Sequence, residues 1–70
     1  MMTLEEYKLK AAEGIKKLLH AVPPDEVEEY IQSLNEDMEH SYNESVEASK
    51  ILGTDQISPD GYAYGAALEF

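Results

Sequence analysis

Residues 24–53 read PDEVEEYIQSLNEDMEHSYNESVEASKILG, and between Asp25 and Glu47 this stretch carries nine carboxylates with no Lys or Arg. A helical wheel started at Asp25, turning about 100° per residue, sorts it into two sides. Val27, Tyr30, Ile31, Leu34, Met38, Tyr42, Ala48, Ser49 and Leu52, together with Ser41 and Ser45, fall in one arc about 120° wide, the width of a face laid on a core. Asp25, Glu26, Glu28, Glu29, Glu36, Asp37, Glu39, Glu44 and Glu47 all fall in the opposite half, about 180° wide. Val46 and Ile51 alone cross the divide. A break between His40 and Asn43 would put the two halves out of phase, and the phase is kept. The pattern therefore predicts one continuous helix over 24–52, in spite of the unfavourable Ser41-Tyr42-Asn43.

The ends of the stretch agree with that assignment. Pro24 suits the first helical position, and Asp25, Glu26, Glu28 and Glu29 place negative charge on the positive end of the helix dipole. Lys50 lies in the last turn, and Gly53 is a natural left-handed stop.

Upstream, residues 3–21 read as a shorter first helix. Thr3 with Glu6 has the spacing of a capping box. Leu4, Tyr7, Ala11, Ala12, Ile15, Leu18, Leu19 and Val22 share an arc about 140° wide. Glu6 and Lys10, and Glu13 and Lys17, are i,i+4 pairs in the favourable order. Charge on this helix nearly balances, whereas nine of the fifteen acids sit on the second. Val22 precedes Pro23-Pro24, and a residue before proline is pushed out of the α region, so the helices are joined by a short link. Short links place helices antiparallel, with their apolar stripes face to face. The core and self-association residues expected are Leu4, Tyr7, Ile15, Leu18, Leu19, Val27, Ile31, Leu34, Met38, Tyr42 and Leu52.

The second helix is the longer, so its C-terminal third needs cover from elsewhere. Ser58-Pro59-Asp60-Gly61 fits a type I turn, with proline in second place and glycine in fourth. Beyond it, Tyr62 and Tyr64 alternate as in an extended segment while Ala66, Ala67 and Leu68 suit a helical turn. Periodicity leaves the conformation open. Ile57, Tyr62, Tyr64, Leu68 and Phe70 are expected to pack on the overhanging end of the second helix.

Seventy residues form one small domain, 1–70, without cysteine to staple it. A core of that size, set against roughly 1.5 kcal/mol of ordering entropy per residue, leaves a margin near zero, so a homodimer or larger helical assembly is expected. The architecture predicted is all-α: an antiparallel helical hairpin with a tyrosine-rich tail packed on it, assembled as a homodimeric bundle.

A formal charge of −10 and a pI of about 4.3 argue against direct contact with nucleic acid or anionic membrane and favour a basic partner. Met1-Met2-Thr3-Leu4-Glu5-Glu6 lacks the charged and apolar regions of a secretory signal, and no run is long enough to span a bilayer, so a soluble cytoplasmic protein is expected.

Chemistry-bearing motifs are sparse. Glu36-Asp37-Met38-Glu39-His40 has carboxylate and histidine three and four apart, imitating the Glu-x-x-His of bundle di-iron sites. Those sites project inward from several helices, whereas the wheel turns these acids outward, so no metal or other cofactor is expected. Ser41 and Ser45 lack a base partner, and phosphate loops and dinucleotide fingerprints are absent. No enzyme activity is expected.

What remains is the acidic face: Asp25, Glu28, Glu29, Glu36, Asp37, Glu39, Glu44 and Glu47 are the candidate partner-binding residues. From Asp25 to Glu47 a helix spans about 33 Å, close to the roughly 34 Å of one turn of duplex DNA. In composition alone the chain resembles small acidic inhibitors that mimic nucleic acid. The reading favoured is a non-enzymatic interaction module offering this face to a basic protein surface, as an inhibitor of a nucleic-acid-binding protein; the alternative is an assembly subunit whose acids serve solubility, and a remote one is a carboxylate–histidine metal-binding bundle.

Overall fold

The computed structural model describes residues 2–70, which form four α-helices and, among the described residues, no strand. They are α1 (Leu4–Leu18), α2 (Pro24–Ser33), α3 (Asn35–Leu52) and α4 (Pro59–Glu69).

Thr3 caps α1, its hydroxyl accepting the Glu6 amide at 3.2 Å, and Glu5 and Glu6 complement the dipole in the first turn. The helix stops at Leu18, three residues short of the expected end. Val22 N–H folds back onto the Leu19 carbonyl at 3.0 Å, so the chain is already reversing before the proline pair. The expected Glu6–Lys10 and Glu13–Lys17 pairs do not close to 4.0 Å; Lys16 instead reaches across to Glu28 on α2.

The single helix expected over 24–52 is interrupted at Leu34, where φ is −92° and ψ is 4°. Three local facts account for the break. The Ser33 hydroxyl donates to the Tyr30 carbonyl at 2.6 Å, the Leu34 amide bonds to Ile31 in a tighter i→i+3 turn, and Asn35 is a weak helix former. Glu36 and Asp37 then stand in the first turn of a new helix, on its positive end. Even so, residues 24–52 at about 1.5 Å per residue would extend about 43 Å. The molecule measures 40 × 18 × 17 Å, so α2 and α3 run on nearly end to end. The apolar arc survives the break, with Val27, Ile31, Met38 and Ser49 buried.

Three side-chain contacts tie α1 to this pair, the start of α1 meeting α3 and its end meeting α2. The Tyr42 hydroxyl reaches the Met2 carbonyl at 2.6 Å, Tyr7 shares a hydrogen bond with Ser41 at 3.1 Å, and Lys16 meets Glu28. The last turns of α3 consequently run past the start of α1.

The tail is a helix. Ser58-Pro59-Asp60-Gly61 begins it rather than closing a turn: the Ser58 hydroxyl accepts the Gly61 amide at 3.1 Å, and Pro59 occupies the first helical position. A type I turn uses nearly helical dihedrals, so the same four residues start a helix when the chain beyond them continues it. α4 packs mainly on α1, with Ala63 against Gly14, and not on the overhanging end of α3. Ile57 and Tyr62 pack at the core, whereas Tyr64, Leu68 and Phe70 are exposed. The overhang is instead met by the α3–α4 connection, where the Gln56 amide donates to the buried Ser49 hydroxyl at 2.8 Å.

The buried apolar set is Tyr7, Ala11, Ile15, Val27, Ile31, Met38, Ala63 and Ala66. Of the expected core, Tyr7, Ile15, Val27, Ile31 and Met38 are buried, and Leu4, Leu19, Leu34 and Tyr42 are half-buried. Leu18 and Leu52 are exposed, at 47% and 63%. Both stand in the last turn of their helices, where no neighbouring element covers the stripe.

Candidate functional site

All nine carboxylates from Asp25 to Glu47 are exposed, on the side of α2 and α3 turned away from the core. The eight proposed as partner-binding, Asp25, Glu28, Glu29, Glu36, Asp37, Glu39, Glu44 and Glu47, thus share a solvated surface, divided at Leu34 into an α2 and an α3 segment. Each segment opens with two acids in its first turn, Asp25 and Glu26 on α2, Glu36 and Asp37 on α3. There the positive helix end offsets part of their mutual repulsion.

Three of the nine have partners. Glu28 pairs with Lys16 at 3.3 Å and Glu44 with His40 at 3.1 Å, both on open surface where such pairs contribute little. Asp37 accepts the Tyr62 hydroxyl at 2.7 Å. Asp25, Glu26, Glu29, Glu36, Glu39 and Glu47 make no side-chain hydrogen bond or ion pair among the described residues, so their acceptor capacity is open.

α4 spans the division at Leu34. Tyr30, on α2, donates to the Ala66 carbonyl at 2.7 Å and sets its ring edge-on to Phe70 at 4.9 Å. Asp37, on α3, is held by Tyr62, whose ring lies 6.1 Å from that of Tyr7. One helix therefore grips the acidic surface on both sides of its break. Burial, then the hydrogen bond to Asp37 and the charge of that carboxylate, push the Tyr62 phenol well above its ordinary range. Tyr30 is raised by burial, then by Glu69 and Asp37. These two phenols stay protonated, as donors, at any physiological pH.

Sequence reasoning missed this bracing. Tyr30 lies on the apolar arc of the wheel, and is half-buried with its hydroxyl directed at α4. A buried or half-buried tyrosine needs a hydroxyl partner, and that requirement was the available signal.

The carboxylate–histidine run does not converge. Among the described residues no group of three or more His, Cys, Asp or Glu side chains is placed to hold a metal ion, and His40 turns to Glu44. No helix among them is long and apolar enough to cross a membrane. No protein-family model matches the chain, and no match was found to a curated protein or to a solved structure.

Proposed function

We propose that this protein is a non-enzymatic interaction module whose α2–α3 face binds a basic protein surface, and that in doing so it inhibits a nucleic-acid-binding protein by occupying its groove. The single observation that carries the reading is the disposition of the nine carboxylates: every one is exposed and six are unengaged, along about 33 Å of helix with no Lys or Arg. Stable exposed helices ordinarily interleave both signs of charge. A one-signed surface attracts a basic partner at long range and repels polyanions, giving speed and selectivity of encounter more than raw affinity. In this reading α1 and α2–α3 form an antiparallel hairpin, and α4 keeps the two acidic segments in line.

The test is a pull-down from host lysate with the wild type and with a Glu28/Glu29/Glu36/Glu39→Gln variant. Partners captured by the wild type and lost from the variant are expected. Identical partners for both would end the proposal.

A second reading, assembly into a homodimeric helical bundle with the acids serving solubility, is favoured by the bare end of α3. Ile51 and Leu52 are 76% and 63% exposed there.

A further inference from the structure

Gly61, Gly65 and Glu69 stand four residues apart on α4 and so share one side of it. Across from them lie Leu34 and Asp37, at the join of α2 and α3, and between the two walls runs an open groove of about 230 Å³. From Gly61 to Glu69 its length is about 12 Å at 1.5 Å per residue. The floor is bare, since nothing lies within 4 Å of where a Cβ on Gly65 would stand. Glycine is a poor helix former. Gly14 is explained by its contact with Ala63, but nothing within the chain explains Gly65.

Two carboxylates from different helices border this groove. Asp37 accepts only the Tyr62 hydroxyl, and neither Asp37 nor Glu69 has a cation within 4.0 Å among the described residues. Both oppose the ionisation of Tyr30, whose hydroxyl donates to the carbonyl of Ala66, a residue lining the groove. A groove open at Gly65, lined by Leu34, Tyr62 and Ala66 and bordered by two carboxylates, is complementary to a long apolar stem ending in a cation.

We propose that the groove receives an arginine side chain of the basic partner, its stem along Gly61 and Gly65 and its guanidinium at the Asp37 and Glu69 carboxylates. The inference rests on the acidic-face reading and names the anchor within it. Arginine fits better than lysine. Its planar fork bonds carboxylates two at a time, sheds water more readily than an ammonium, and stacks on an aromatic face such as Tyr62.

Isotope-labelled full-length protein titrated with acetyl-hexa-arginine amide, and separately with the hexa-lysine peptide, tests this by amide NMR. Gly61 and Gly65 should shift, and the arginine peptide should bind about fivefold more tightly or better. Gly65→Leu fills the groove at unchanged charge, and Glu69→Gln removes one wall; each should weaken binding about fivefold, whereas Glu13→Gln, losing the same single charge on α1 away from both the groove and the α2–α3 face, should change it less than about twofold. Circular dichroism confirms that each variant keeps its helix content. If Gly65→Leu binds as the wild type does, the groove assignment falls and the acidic-face reading stands. Failure of both peptides to bind any form would remove both. A wild-type dimer that Gly65→Leu converts to monomer would show the groove filled by a second copy, overturning the arginine assignment.

Discussion

A Cβ placed on Gly14 would stand 2.7 Å from the Cβ of Ala63, closer than two side-chain carbons can approach, so α1 and α4 meet where only glycine fits. Ala63 is fully buried and its Cβ is fixed to the α4 backbone, so it cannot swing aside. Gly14→Ala therefore has to push α4 away from α1. Overpacking of this kind costs about 1–3 kcal/mol, against roughly 1 kcal/mol gained in helix propensity. We expect a net loss of stability. The same change at Gly65, where the space is open, should stabilise by about 0.4–1 kcal/mol. Urea unfolding of the two variants should give shifts of opposite sign; a stabilised Gly14→Ala protein would refute the close contact.

Ser49 is the one buried polar residue among the described residues, and its hydroxyl works in both directions. It donates to the Ser45 carbonyl and accepts the Gln56 amide, each at 2.8 Å. That second bond ties the α3–α4 connection to the end of α3. Ser49→Ala leaves the Gln56 amide without its acceptor, at an expected cost of about 1 kcal/mol. Hydrogen exchange at Gln56 should quicken in the variant while the amides of α1 keep their protection. Unchanged exchange at Gln56 would mean the connection is held by something else.

Periodicity made the burial side of each long helix legible, because Val27, Ile31, Met38 and Ser49 must share a face whether or not the helix is continuous. The same robustness hid the break: the apolar arc carries through Leu34, so a wheel cannot report it, and its causes are a hydroxyl and a tight turn that involve no hydrophobic pattern. α4 was illegible for a different reason. Gly61, Tyr64, Gly65 and Leu68 are exposed while Ala63 and Ala66 are buried, so the helix has no polar outer face to set against an apolar inner one. The exposure of the nine carboxylates was legible in charge spacing, whereas the tyrosine clamps across that surface depend on α4 and became visible only with the fold.

Those clamps predict a pH dependence. Tyr62 has a folded-state pKa above the ordinary value of 10.0, raised by burial and by Asp37. A group whose pKa is raised on folding stabilises fully while the pH lies below its unfolded pKa, and that stabilisation is lost as the pH climbs from there through the folded value. Wild-type melting temperature should therefore fall as the pH is taken from about 9 to 11, and Tyr62→Phe should fall less steeply. At neutral pH the same variant should lose about 0.5–1 kcal/mol, for one largely exposed hydrogen bond. Parallel alkaline melting curves for the two proteins would rule out a role for the Tyr62–Asp37 bond.

Leu52 ends the apolar arc of α3 with nothing over it, at 63% exposure, beside an equally bare Ile51. A chain of seventy residues with eight buried apolar side chains in its core cluster among the described residues has little stability in reserve, which makes covering this end by a second copy favourable. Opposing it is the formal charge of −10 on each copy, so contact should form at the end of α3, whose last turn carries no acid, and strengthen as salt screens the repulsion. Sedimentation at micromolar concentration should show a dimer at about 0.15 M salt, weakened at low salt. Leu52→Asp should give a monomer at both salt concentrations, because it puts a charge at the centre of the contact. A wild type that remains a folded monomer across that range would exclude the dimer and leave the acidic face as the one surface proposed for a partner.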